Sequence, residues 1–277
     1  MTYKLLALDV DCTLVRRDGS THDDDLRAIR RLQAVGVPVT IATGRLYSGT
    51  REVARRTGVS GPIACVDGSH IVDAEGGKHH YARTLSGATA AALRGIAERN
   101  PAACFLFAQD TIVHDEVGAP FAHYVRTWSP AIEQVERVTS HPYWEHEYGV
   151  HALVAVGAES QIRNAEAEIQ AELGDAAYVI SFPVSRRFEA FGMVVRAAGP
   201  TKGTAITWIA EHYRCSPAEV VVVGDWLNDV PMFQTAGRSF AMAQAPDEVK
   251  AEATDTLEGH GDMGGGIAEA IRRAFGI

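Results

Sequence analysis

The chain has no apolar run long enough to cross a bilayer, and none of its segments is expected to meet a membrane. Its first run, "LLAL", is broken by Asp9 after a few residues, too early for a signal peptide. Cysteine is sparse: Cys12, Cys65, Cys104 and Cys215 lie far apart and form no CxxC pair, so neither a disulfide framework nor a zinc site is indicated. That usage fits a reducing cytosol, and a cytoplasmic location is expected. Positive charge is short as well. A formal net charge of −9 argues against a general nucleic-acid binder, and any anionic ligand must be met by a local positive feature. Internal repeats and low-complexity tracts are missing. What is left is ordinary globular composition, 46% hydrophobic and 22% charged over 277 residues, enough for one large domain or two modest ones.

Strand-like and helix-like segments alternate near both ends. "KLLAL" reads as a short buried strand. "HDDDLRAIRRLQAVG" reads as an amphipathic helix with Leu26, Ile29, Leu32 and Ala34 on its apolar face, acidic residues in its first turn and Gly36 at its end. "VPVTIATGR" and "PIACV" read as further strands. The pattern returns with "KGTAITWIAEHY" as helix, "EVVVVGD" as strand, "DVPMFQTAG" as helix, "SFAMA" as strand and "GGIAEAIRRAF" as the last helix. Such alternation predicts an α/β fold, a mostly parallel, doubly wound Rossmann-like sheet covered by helices. Between Thr84 and Met193 the pattern changes: a helix at "SGATAAALRGIAERN", a hairpin from "CFLFA" and "TIVH", a strand at "VHALVAVG", a helix at "SQIRNAEAEIQAELG", then strands near "AYVISF" and "RRFEAF". This reads as an α+β domain over residues 84–192, inserted into a core formed by residues 1–83 and 193–277.

Three apolar runs of the core end in polar residues: Leu8 into Asp9 and Asp11, Ala42 into Thr43, and Val223 into Gly224 and Asp225. In open parallel sheets ligands lie beyond the carboxyl ends of the strands, so these ends are expected to converge on one crevice. "PTKGTA" places Lys202 and free backbone N–H groups at a helix start, and "GDWLND" adds Asn228 and Asp229 close to Asp225. Carboxylates gathered this way repel one another, by about 4 kcal/mol for a pair at ~4 Å and an effective dielectric of 20. They therefore require a cation or raised pKa values. An all-oxygen donor set suits Mg²⁺, and metal, lysine and threonine together suit a phosphate.

These residues resemble the haloacid dehalogenase-like hydrolases, specifically their Cof-like branch with a large cap inserted after the second motif. The resemblance rests on DVDCT at Asp9 to Thr13, ATGR at Ala42 to Arg45, PTKG at Pro200 to Gly203 and GDWLND at Gly224 to Asp229, in this order along the whole chain. It implies a Mg²⁺-dependent phosphatase acting on a small phosphorylated metabolite, with sugar phosphates as the first expectation. By the resemblance, Asp9 would be the nucleophile that forms an aspartyl-phosphate, and Asp11 the acid/base. Asp9, Asp225 and the main-chain carbonyl of Asp11 would bind Mg²⁺. Thr43, Gly44, Lys202 and Asn228 would hold the phosphoryl group, and Asp229 would position metal waters, phosphate or Lys202. A phosphomutase would use the same intermediate, and a receiver-like signalling protein would be phosphorylated on Asp9 without turnover.

Other features are weighed separately. Cys12 stands where the family usually has glycine, Trp226 where it has a short loop residue, and Asp67 where many relatives resemble "SNGA". Cys12 reads as a small packed side chain. Arg45 either reaches the substrate or pairs with the cap. Arg186 and Arg187 either meet a substrate carboxylate or second phosphate, or form a solvated pair. His141, His146 and His151 are spaced by five, which puts them on no common helix or strand face and speaks against zinc. Asp18 and the run Asp23 to Asp25 read as turn and helix-start residues, and Gly264 to Gly266 as a turn before the last helix.

Overall fold

The computed structural model describes residues 3–185 and 190–277. The chain divides into two compact units: one holds the chain up to Gly44, Thr50–Tyr81 and Pro200–Ile277, the other Arg45–Gly49 and Ala82–Gly199.

The first unit opens with β1 (Leu5–Leu8), α1 (Asp23–Ala34), β2 (Val39–Ile41) and α2 (Tyr47–Thr57), whose first residues fall in the other unit. There follow β3 (Pro62–Cys65), β4 (His70–Asp73) and β5 (His79–Ala82). The second unit carries α3 (Gly87–Arg99), β6 (Ala103–Ala108), β7 (Thr111–His114), α4 (Ala122–Val125), β8 (Ile132–Gln134), β9 (Ala152–Ala158), α5 (Glu159–Leu173), β10 (Ala177–Ser185) and β11 (Ala190–Ala197). The chain then completes the first unit with α6 (Lys202–His212), β12 (Val220–Gly224), α7 (Val230–Thr235), β13 (Arg238–Ala241), α8 (Asp247–Glu252), β14 (Asp255–Thr256) and α9 (Gly266–Phe275).

A parallel sheet of order β14-β13-β12-β1-β2 forms the centre of the first unit. β1 and β12 lie in its interior, Leu5 opposite Val220 and Leu8 opposite Val223, and every residue of both strands is buried. Such continuous burial needs helices on both faces. One face sends Leu5, Ala7, Val220 and Val222 against Ile206, Ile209, Met232, Phe233 and Val249 of α6, α7 and α8. On the other, α1 buries Ala28, Ile29 and Leu32 beside α9, which buries Ile267, Ala270 and Ile271. Each large aliphatic side chain so enclosed contributes about 1.5–3 kcal/mol. The doubly wound core expected from the alternation is present. β3 departs from it: it pairs antiparallel with β4 in a separate sheet of order β3-β4-β5 and meets β2 through one parallel bridge, Ala42 to Ala64.

Asp25 also differs from its expected role. Asp23 and Asp24 stay in the first turn of α1, but Asp25 turns inward, 3% exposed, and accepts from Gly265 N at 2.9 Å and Ala268 N at 2.8 Å. It caps α9 from a neighbouring helix, satisfying amides that have no partner inside their own. Asp25→Ala should lower unfolding stability by about 2 kcal/mol, read as a lower urea midpoint with unchanged slope.

The second unit is an α+β layer. Its sheet has the order β10-β11-β9-β6-β7-β8, antiparallel except between β7 and β8. α3 and α5 cover one face, packing Leu93, Ile96, Ile162 and Ile169 onto Leu106, Leu153, Met193 and Val195. The sequence placed the return to the core near residue 193. β11 instead runs on to Ala197, with Val194 and Val195 paired to β9, so the unit closes only at Gly199. Among the described residues no helix is long and apolar enough to cross a membrane.

Candidate active site

The backbone ladder of the central sheet delivers the acidic groups. Asp9 N donates to Val223 O at 3.0 Å, one step beyond the last β1 residue, so Asp9 leaves the sheet beside the end of β12. Two residues past Val223 stands Asp225. Asp9, Asp225 and Asp229 are all buried, and each offers a carboxylate oxygen within 4.8 Å of the others'. Among the described residues they are the one acidic, histidine or cysteine group of this kind.

Lys202, first residue of α6, is completely buried and reaches into this cluster. Its Nζ donates to Asp9 Oδ1 at 2.5 Å and to Asp229 Oδ1 at 2.6 Å. The remaining Asp229 oxygen accepts from Asp225 N at 2.7 Å and Trp226 N at 3.0 Å. Asp229 is thus occupied in gripping the lysine and the turn after β12. Gly224 makes that approach possible, since a Cβ there would lie 2.4 Å from the Asp229 carboxyl group.

Asp225 is oriented from two sides. Thr13 Oγ1 donates to its Oδ1 at 3.0 Å, and Gln244 Nε2 to its Oδ2 at 3.3 Å. Burial pushes the Asp225 carboxyl up to about 6, reinforced by Asp229 and moderated by Gln244 and Thr13. Burial likewise raises Asp9 well above the usual carboxylate range, against the opposing pull of Lys202. Burial alone would lower the Lys202 ammonium, yet Asp229 and Asp9 outweigh it and hold it above its ordinary value. With all three carboxylates ionised, the one ammonium would leave two negative charges in a buried space, a charge that a divalent cation would cancel. The oxygen-only donor set therefore fits Mg²⁺.

The expected phosphate-binding residues meet beside this cluster. Thr43 is fully buried, its N donating to Ala64 O and its O accepting from Asp67 N, both at 2.9 Å. Asn228 Nδ2 donates to Asp67 Oδ1 at 2.8 Å, and the same oxygen lies 3.4 Å from where a Gly44 Cβ would be. Asp67 thereby ties the Thr43 loop to the Asn228 turn, a role the motif reading did not assign it. Val66 and Asp67 both have positive φ, 47° and 51°, as does Cys12 at 59°. Strained backbone of this kind persists where surrounding contacts over-determine it, and here Cys12 lies in the field of Asp225 and the Asp67 charge acts on Lys202.

Asp11 is half-buried in the loop after Asp9, and its charge adds to the field that raises Asp9. Burial, then Asp225, holds the Cys12 thiol above its usual value, which disfavours a reactive thiolate. Trp226 is 53% exposed. Arg45 belongs to the second unit, where its Nη1 donates to Gly49 O at 3.1 Å. Arg186 and Arg187 lie outside the described residues. The three spaced histidines do not converge: His141 accepts from Tyr143 N, while His146 bonds Gln109. Thr13 lay inside a motif already quoted, but Gln244 carried no signal, because a lone glutamine after a strand has no pattern to mark it.

The family model for haloacid dehalogenase-like hydrolases matches residues 6–271. The chain is 26% identical over 250 residues to the HMP-PP phosphatase of Yersinia pestis (strain Pestoides F), covering 90% of this chain and 87% of the other. It is 25% identical to the 5-amino-6-(5-phospho-D-ribitylamino)uracil phosphatase YcsE of Bacillus subtilis (strain 168), covering 97% and 94%. In fold it is similar to a haloacid dehalogenase-like hydrolase from Bacteroides thetaiotaomicron, with TM-score 0.84, 24% identity and coverage of 99% and 100%. With four motifs gathered at the ends of one parallel sheet and a family match spanning nearly the whole chain, the protein belongs to the haloacid dehalogenase-like hydrolases.

Proposed function

We propose that this phosphatase hydrolyses small phosphate monoesters by passing the phosphoryl group through Asp9. The observation that carries the reading is the buried ammonium of Lys202 shared between Asp9 and Asp229, beside a second buried carboxylate at Asp225. Asp9 attacks phosphorus, forming an O–P bond as the ester P–O bond breaks. Asp11 donates a proton to the departing alkoxide, which is otherwise a poor leaving group. Water then attacks the aspartyl-phosphate while Asp11 takes its proton, and Asp9 is regenerated with release of phosphate. Lys202, Thr43, the Gly44 backbone and Asn228 hold the phosphoryl oxygens, and Asp229 keeps Lys202 aimed. Asp9, Asp225 and the Asp11 carbonyl would hold Mg²⁺, which when bound neutralises charge on the transferring group. Relatives named for phosphorylated metabolites support a substrate of that class, and sugar phosphates are the first to try.

The test is phosphate release from a panel of esters. Chelation should abolish it and Mg²⁺ restore it. Asp11→Asn should reduce turnover by about 10²–10⁴-fold on alkyl phosphates and far less on p-nitrophenyl phosphate, whose phenolate departs without a proton. Equal losses on both would remove Asp11 from the acid role, and full activity in excess chelator would remove the metal.

A further inference from the structure

Gln244 follows β13 and belongs to none of the four motifs, yet its amide is fully engaged. Nε2 donates to Cys12 O at 2.7 Å and to Asp225 Oδ2 at 3.3 Å, and Oε1 accepts from Gly261 N at 2.8 Å. Only this orientation of the amide works, because Gly261 offers a donor and the other two partners are acceptors. One side chain thus joins three loops: the one carrying Asp9 and Asp11, the turn carrying Asp225, and the segment around Gly261. That segment presses on the same carbonyl, since a Cβ at Gly261 would lie 2.0 Å from Cys12 O.

The geometry points to Gln244 as a positioning residue of the metal site, aiming the Asp225 carboxylate together with Thr13 and fixing the Cys12 peptide beside the Asp11 carbonyl. Asp225 takes one hydrogen bond on each oxygen, from Thr13 and from Gln244, so its plane is set before any ion arrives. Cys12 sits at φ 59°, a left-handed conformation that a residue with a Cβ adopts only when its surroundings hold it there. The Gln244 bond to its carbonyl and the bond from Cys12 N to Val15 O at 2.9 Å hold it there. Partners of metal ligands that orient them in this way typically govern affinity about 10- to 100-fold.

The inference rests on Asp225 being a metal ligand, and the experiment separates the two claims. Mg²⁺ dissociation constants are measured by isothermal titration calorimetry on the full chain for the wild type, Asp225→Ala and Gln244→Met. Turnover is recorded in parallel across Mg²⁺ concentrations. Methionine keeps the length of the side chain and loses all three bonds. Gln244→Met should weaken Mg²⁺ binding about 10- to 100-fold, with kcat recovering at high Mg²⁺ and KM for the ester nearly unchanged. Should Gln244→Met fail to fold, Gln244→Asn, whose amide sits on a stem one methylene shorter, should show the same weakening. Loss of binding in Asp225→Ala with wild-type affinity in the folded Gln244 variant would overturn this inference alone. Wild-type affinity in Asp225→Ala would overturn the metal assignment and the inference with it.

Discussion

Asp9→Asn should reduce phosphate release on the order of 10⁵-fold while the protein stays folded, because the amide cannot form the aspartyl-phosphate. The structure makes the two effects separable. Asp9 is 6% exposed, and burial already disfavours its charged form, so a neutral isostere relieves a cost instead of adding one. The Asn carbonyl oxygen can still accept from Lys202. Metal-free Asp9→Asn should therefore melt at or above the wild-type temperature at pH 8, even as turnover vanishes. Near-normal turnover would eliminate Asp9 as nucleophile, and a large fall in melting temperature would mean that its charge is structural.

Lys202→Met should lose activity and, unlike Asp9→Asn, destabilise the metal-free protein by about 3–5 kcal/mol near pH 8. The fully buried ammonium is bonded to two carboxylates, and its removal leaves buried negative charge uncompensated. Asp9 and Asp225 already have raised values in the folded state, Asp225 at about 6. A carboxyl that binds its proton more tightly folded than unfolded favours folding at low pH. That contribution is lost as pH rises from the unfolded carboxylate value through the folded one. Without Lys202 both values climb further, so the stability deficit should be small at pH 5 and grow towards pH 8. Urea titrations at the two pH values read it directly, and a deficit independent of pH would show the lysine to matter through packing alone.

The central sheet was legible because its strands are buried on both faces and write themselves as apolar runs, "LLAL" and "VVVVG", with polar residues where they end. The candidate site was legible for the same reason, since Asp9, Thr43, Asp225 and Lys202 occupy those ends and the helix start that follows. Short or half-exposed elements were not. β14 has two residues and β8 three, too few to show any period, and the β4–β5 hairpin hides in a run of histidines and glycines. Asp25 looked like an ordinary helix-start acid, because nothing local reveals that its partner amides are some 240 residues away. In the sequence Asp67 stands out only as a departure from a family pattern, although its left-handed backbone and its bond to Asn228 fasten two loops together.

The five residues from Arg45 to Gly49 follow directly on the Thr43–Gly44 loop, yet they are stitched into the second unit. Leu46 N donates to Trp128 O at 3.0 Å, Ser48 bonds Asp110 and Ser129, and a Cβ at Gly49 would lie 2.3 Å from Trp128 O. Anyone grafting the second unit between relatives would naturally cut at the two obvious seams, near residues 82 and 199. A graft made there would leave this short strip behind, with its donors facing a foreign Trp128 or Asp110 position. The transplantable module is discontinuous, and a working exchange has to carry residues 45–49 along with the large insert.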